Sequence, residues 1–453
     1  VRRYLNELIA VVFLAAAASA LVLPYLAGRE IPLDLSLART LAPWQQPGAT
    51  VETALSERHV YETYPAYLHM ADIREHGGLL WNPSDGLGAP FLAQWHTRAL
   101  SPFSIPVYLV GLPLGLALSN LLKLVVAGLC TYYAGRRFGL RPATAAAVGG
   151  IYMASAPVFL WSAEPLGDAM PWVPLLLLGA ERLALGKRKA WPLVGLVTFL
   201  IALGGHPPAL AGALWFLVAY VPLRAEEGPV GKRLAMAAPA LAGIILGLLA
   251  AAAQWWPFLE YLGQTTAGET AMQPVAGLGW RGFFLPAAAG QHGQAAALLF
   301  PGLLPILSLP LWWVLRSYMA PDLHARTKAL LGVAVLSTLL ALLAGTLPQP
   351  LFAPWLDAST FLLPAAIAFA FIAGAVAEEW ILLRAPQVRE ALPTLMGLVP
   401  VSWIVYIALI GFVVVTSGAP ILSLAAPVLV TLAAFILFAY TLFRPSAGTL
   451  GYG

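Results

Sequence analysis

Apolar residues run through this chain in blocks long enough to cross a bilayer, and polar residues collect in the gaps between them. A helix rising 1.5 Å per residue needs ~20 apolar residues to span the hydrocarbon layer. Blocks that reach or approach this length lie at 5–26, 116–135, 143–162, 169–185, 191–207, 209–224, 234–258, 297–315, 328–347, 359–382, 396–416 and 421–443. The pattern predicts an all-α polytopic membrane protein of about twelve transmembrane helices in a single domain, 1–453. The first block follows Arg2-Arg3 and shows no small-residue cleavage site with a polar stretch behind it, so it reads as a retained signal anchor. The stretch 102–115 is too short and too proline-rich for a full span and reads as a re-entrant or interfacial piece.

One long hydrophilic segment interrupts the pattern, at 27–101. Connections of this length are usually functional or disordered, and Trp44, Trp81 and Trp95 argue for order. Within it, PAYLHMADIREH (65–76) predicts an amphipathic helix lying on the membrane shoulder. Pro65 suits its first turn and Gly77-Gly78 its stop. Ala66, Met70 and Ile73 share one face, and His69, Asp72 and His76 another. The following stretch, 79–106, takes an irregular path set by Gly and Pro. It re-enters apolar sequence where Trp95, His96 and Arg98 sit, and it is expected to cover a cavity lined by Lys123, His206 and Gln254.

Composition excludes the soluble and disordered classes: 60% of residues are hydrophobic and only 10% charged. The net charge of +4 follows from orientation. With the N-terminus inside, 18 of the 25 Lys and Arg residues fall on inner segments and 6 on outer ones, which predicts both termini cytoplasmic. No basic cluster remains for nucleic acid. Thirteen of the 21 carboxylates and six of the seven histidines fall outside. Cys130 is the single cysteine, so no intrachain disulfide forms. Walker A, GxGxxG, HExxH and GxSxG signatures are missing, which argues against an ATP-driven pump or a soluble-type hydrolase.

The candidate chemistry lies on the outer side. Glu57, Arg58, His59 and Glu62 put two carboxylates and a histidine within six residues, enough for a general base or for plain surface charge. The spacing of His69, Asp72 and His76 suits a solvated face better than a metal site, and no cofactor is expected. Glu164 and Asp168 flank an outer turn and read as solvated. Lys123 is the one basic residue inside a span, which costs ~2.5–3.5 kcal/mol on insertion scales and calls for a partner or a cavity.

The run YPAYLHMADIREHGGLLWNPSDGLGAPFLAQWHTRALSPFSIPVYLV (64–110) resembles the first periplasmic loop of the bacterial YfhO-like membrane proteins. MPWVPLLLLGAERL (170–183), LGGHPPAL (203–210), QWWPFLEYL (254–262) and FPGLLPILSLPL (300–311) resemble further segments of that family in the same order. The resemblance implies a GT-C fold and a glycosyltransferase of the bacterial inner membrane that takes a sugar from a polyprenyl-phosphate carrier. It implies a catalytic carboxylate from Glu57, Glu62 or Asp72, and substrate contacts from Trp95, His96, Arg98, Lys123, His206, Gln254 and Glu260. Two family features have no match. LSERHVYETYP (55–65) holds no aspartate, and DASTFLLPAAIAFAF (357–371) holds no arginine. They support the alternative of a catalytically inactive accessory subunit, with lipids and other membrane proteins as its partners.

Overall fold

The computed structural model describes residues 2–51, 55–225, 228–264, 302–343, 358–382, 385–417 and 425–443. Of the positions expected on the outer side, Glu52, Glu269, Arg281, His292 and Asp357 lie outside these. The described residues are helical with no strand, apart from one isolated bridge between Asn82 and Ala89. The principal helices are α1 (Arg2–Leu21), α2 (Tyr64–His76), α3 (Leu114–Arg137), α4 (Pro142–Met153), α5 (Val173–Ala184), α6 (Trp191–Leu203) and α7 (Pro207–Arg224). They continue with α8 (Pro239–Ala250), α9 (Ala252–Leu262), α10 (Leu303–Leu315), α11 (Pro321–Leu343), α12 (Ala358–Leu382), α13 (Ala385–Ser417) and α14 (Ala425–Phe443).

Among the described residues, seven helices are long and apolar enough to cross a membrane, fewer than the twelve blocks expected. Two of the five blocks without a spanning helix, 297–315 and 421–443, hold the shorter apolar helices Leu303–Leu315 and Pro427–Tyr440, and the other three lie in the middle of the chain. Block 143–162 breaks into α4 and Ala156–Phe159, and blocks 169–185 and 191–207 yield α5 and α6. These helices have 12, 12 and 13 residues, which is about 18–20 Å of helix against a hydrocarbon layer of ~30 Å. Helices that stop at membrane depth survive only where protein surrounds their ends. Most of α5 is buried accordingly.

The centre of the bundle is α12. From Ala365 to Val376 nearly every side chain is buried, including Ile367, Phe369, Phe371 and Ile372. A helix that is apolar all round belongs in the interior. Helices α3, α4, α5, α7 and α11 share its core. A second core joins α10, α13 and α14 around Leu395, Trp403 and Ile410. The helices α6 and α8 meet backbone to backbone. In Gly243-Ile244-Ile245-Leu246-Gly247, a Cβ on Gly243 would sit 2.3 Å from the Trp191 carbonyl, and one on Gly247 2.4 Å from that of Gly195. Such spacing of small residues lets two helices touch along the membrane.

Ion pairs lock the end of the bundle away from the 27–101 loop. Glu181 of α5 accepts from Tyr220 (2.5 Å), Arg224 (3.2 Å) and Arg326 (3.0 Å), and Arg326 also reaches Asp322 at 2.6 Å. Arg224 bonds Asp322 as well. Two cations meet two carboxylates, so the cluster is neutral, and it ties α5, α7 and α11 together. At the same end Arg136 of α3 pairs with Glu7 of α1 at 2.7 Å.

Replacing Gly247 by Leu should force α6 and α8 apart. The expected loss is about 1–3 kcal/mol, read as a lower midpoint of thermal unfolding in detergent. An unchanged midpoint would mean that the two helices do not touch there.

Candidate functional site

The predicted loop helix forms as α2. Pro65 lies in its first turn, and Gly77, at φ 71°, ends it. Its Ala66 and Met70 are buried with Tyr67 against Phe91, Ala99, Val107 and Leu116, and Ile73 packs beside them. The polar face does not converge. Asp72 and His76 pair with each other in solvent at 2.8 Å, while His69 turns inward, its Nε2 2.9 Å from the Gly78 carbonyl and its ring against Phe91. No group of three His, Cys, Asp or Glu residues suited to a metal ion occurs among the described residues. The stretch 102–115 contains a six-residue helix, Ile105–Val110, too short to span.

The irregular stretch 79–106 is seated directly on the helices. Trp95 Nε1 donates to the Ala202 carbonyl at the end of α6 (2.7 Å). Gln254 of α9 accepts from the Leu100 amide (3.1 Å) and donates to the Leu92 carbonyl (3.2 Å). Ser119 of α3 donates to the Phe103 carbonyl at 2.6 Å. His206 caps α7, its Nδ1 accepting from the Ala209 amide at 3.1 Å. Gly205 before it, at φ +73°, leaves room for the loop: a Cβ there would meet the Trp95 carbonyl at 2.3 Å.

At the centre of this seat lies a buried ion cluster. Lys123 Nζ is 2.7 Å from Asp168 Oδ1, and Arg98 Nη1 is 3.6 Å from the same oxygen. All three residues are 1% exposed. Ser101 donates to the other carboxylate oxygen. The carbonyls of the turn before Asp168 take the remaining protons: Ser162 from Lys123 (2.7 Å), and Ala163 from Arg98 (2.8 Å) and Tyr67 (3.3 Å). Arg98 stacks over the Tyr67 ring at 4.7 Å and holds a left-handed backbone, φ 58°. That conformation costs ~1–2 kcal/mol in a residue with a side chain, and its bonds to α2, the turn and Asp168 hold it there. The cavity expected among Lys123, His206 and Gln254 is therefore closed by protein: all three are buried and bonded.

A second carboxylate adjoins the cluster. Glu164, fully buried, accepts from Thr63 (2.8 Å) and lies 3.1 Å from both Arg58 Nε and His59 Nε2. Burial alone would push its carboxyl up. The His59 contact and the Arg58 and Arg98 charges together outweigh burial and hold it at about 2. His59 Nδ1 accepts from the Asp34 amide at 2.7 Å, so the chain of contacts continues to Asp34. The reading of Glu164 and Asp168 as solvated is overturned. An intramembrane Lys123 needs a counter-ion, and that was the signal for Asp168.

The other candidates are placed as follows. Glu57, Glu62 and Asp72 are exposed, with Glu62 paired to Arg58 at 3.3 Å. Glu260 is exposed and accepts from Trp256 at 3.1 Å. His96 and Glu62 line a small cavity of about 140 Å³. Burial pushes the His96 imidazole down, more than the nearby Glu62 raises it. Two larger cavities open in the loop. One, of about 800 Å³, is lined by Tyr25, Asp34, Arg39, Gln46, His59 and Leu160 among others. The other, of about 930 Å³, runs over α2. Lys123, His206 and Gln254 line neither.

Residues 66–203 match the family described as bacterial membrane protein YfhO. This part of the chain is YfhO-like. It runs from α2 to the end of α6 and holds Arg98, Lys123, Glu164 and Asp168, so the ion cluster lies wholly inside the YfhO-like region. No curated protein and no solved structure matches the chain.

Asp168→Asn should leave Lys123 and Arg98 buried without their anion and cost about 3–5 kcal/mol. Lys123→Met combined with Asp168→Leu should recover much of that loss in thermal unfolding, and additive losses would mean the pair is not coupled. The Glu164 carboxyl is depressed on folding, so its contribution is complete above its ordinary value near 4.5 and is lost as pH falls through about 2. About 3 kcal/mol should disappear over that window. Glu164→Gln should flatten the acid limb of the stability curve, and an unchanged limb counts against the pairing.

Proposed function

We propose that this chain is a GT-C-like membrane glycosyltransferase acting at the face that carries the 27–101 loop, with a polyprenyl-phosphate sugar as donor. Its YfhO-like region supports the class. The observation that carries the site is the cleft of about 800 Å³ in which Asp34, Arg39 and His59 meet just beyond the short helix Leu23–Leu26. Tyr25 and the half-exposed Leu160 line the same cleft, so its mouth lies beside the apolar bundle, where a lipid carrier would present its phosphate.

Asp34 is the base in this reading. In the resembling family the catalytic aspartate stands at or soon after the end of the first helix, and Asp34 occupies such a place. Its Oδ1 accepts from the Ser36 amide at 2.8 Å, and its own amide is fixed on His59, which fixes the carboxylate in the cleft. The carboxylate takes the acceptor hydroxyl proton as that oxygen bonds to the anomeric carbon. The bond from the anomeric carbon to the phosphate oxygen breaks, and the electron pair leaves with the polyprenyl phosphate. Arg39 balances that phosphate's charge. The buried Arg98–Lys123–Asp168 cluster positions the loop and touches no substrate. The exposure of Glu57, Glu62 and Asp72 favours the second reading, an accessory subunit without chemistry, if Asp34 proves idle.

The test is sugar transfer by the purified full chain in nanodiscs supplied with polyprenyl-phosphate sugars. Asp34→Asn should lower kcat by at least ~10²-fold without shifting the unfolding midpoint, and Arg39→Ala should raise KM. Retained activity in Asp34→Asn, with loss in Glu62→Gln or Asp72→Asn, would move the base to those residues. A wild-type chain that turns over no donor and purifies with stoichiometric partners would establish the subunit reading.

A further inference from the structure

The groove of about 930 Å³ over α2 adjoins the Asp34 cleft: Leu35, Ala38 and Trp44 line both and form the wall between them. Their chemistry differs. The Asp34 cleft holds Arg39, whereas the groove holds Asp72, Glu75 and Asp85 and is lined by no lysine or arginine. Its walls carry aromatic rings with open faces. Trp44 is 67% exposed and Tyr61 60% exposed, and Tyr64 lies between Tyr61 and Pro65 in the same wall.

A built polar group completes it. Asn82 is 6% exposed yet lines the groove. Its backbone is fixed by paired bonds with Ala89, at 2.8 and 2.9 Å, and its Oδ1 accepts from the Ser84 amide at 3.0 Å. Its Nδ2 has no partner among the described residues. Solvent reaches this donor, and a ligand group that accepts from it can take the water's place. The donor is preorganised, and the groove is where its partner would come from.

We propose that this groove binds an oligosaccharide without negative charge. Sugars offer apolar C–H faces to aromatic rings, and hydroxyls that donate to carboxylates and accept from an amide. Amino groups would gain further from Asp72, Glu75 and Asp85, and an anionic chain would be repelled by them. Naming this oligosaccharide the acceptor rests on the transferase reading, since the shared wall then sets it beside Asp34. The binding itself does not depend on that reading.

The test is calorimetric titration of the full chain in nanodiscs with three probes: chitotetraose, its fully de-N-acetylated tetramer, and a hyaluronan tetrasaccharide. The first two should bind and the third should not. Tyr61→Ala should weaken both by about tenfold, the equivalent of ~1.4 kcal/mol. Asp85→Asn should weaken the amine-bearing tetramer more than the acetylated one. Both changes lie at exposed positions, and unaltered unfolding midpoints would show that the fold survives. Failure of both tetramers to bind, preference for hyaluronan, or binding indifferent to Tyr61→Ala and Asp85→Asn would overturn the proposal. A chain that binds the tetramers through Tyr61 but turns over no donor keeps the groove and loses the transferase reading. A chain that transfers sugar but binds neither tetramer does the reverse.

Discussion

The ammonium group of Lys123 sits inside the bundle, and much of the architecture at the loop end follows from having to neutralise it. A lone cation at that depth is costly. Asp168 supplies the opposite charge, and the Ser162 carbonyl takes a further proton. Bringing them there fixes the turn 161–168 against α3. The same turn offers its Ala163 carbonyl to Arg98 and Tyr67, and its Glu164 to Thr63, Arg58 and His59. One buried turn thus receives α2, the irregular stretch behind it and the segment before it.

The two ends of the molecule solve the same electrostatic problem differently. Glu181, Arg224, Arg326 and Asp322 balance two charges against two and join α5, α7 and α11. At the loop end the cations Arg98 and Lys123 share Asp168, while the His59 contact and the Arg58 and Arg98 charges hold Glu164 in its charged form against its burial. Between the ends α12 contributes almost nothing but apolar side chains. Polar specificity is therefore placed at the rims and packing at the centre.

Much of this was legible from residue order. The membrane class follows from the length of the apolar runs, and α2 follows from Pro65, Gly77 and the Ala66–Met70–Ile73 face. The family resemblance read from the loop agrees with the match over 66–203. The helix count was not legible, because α4, α5 and α6 are as apolar as spanning helices yet stop after 12 or 13 residues. His69 was assigned to a solvated face since periodicity cannot show that Gly78 and Phe91 fold back over it. Asp168 lies 45 positions beyond Lys123 in sequence, and a pairing over such a distance leaves no local pattern. The bond from the Asp34 amide to His59, 25 positions on, likewise leaves no local pattern in the sequence.

The anchoring of the 79–106 stretch has a consequence for how the protein is made. Trp95 waits for Ala202, 107 residues later, and the Leu92 carbonyl for Gln254, 162 residues later. A ribosome working at ~5–20 residues per second needs roughly ten to thirty seconds to supply the last of these partners. For part or all of that interval Trp95 and the Leu92 carbonyl are without the partners they hold in the folded chain. Assembly of this end is therefore ordered by the synthesis of α6 and α9. The 79–106 stretch is among the last parts of this end to acquire its shape.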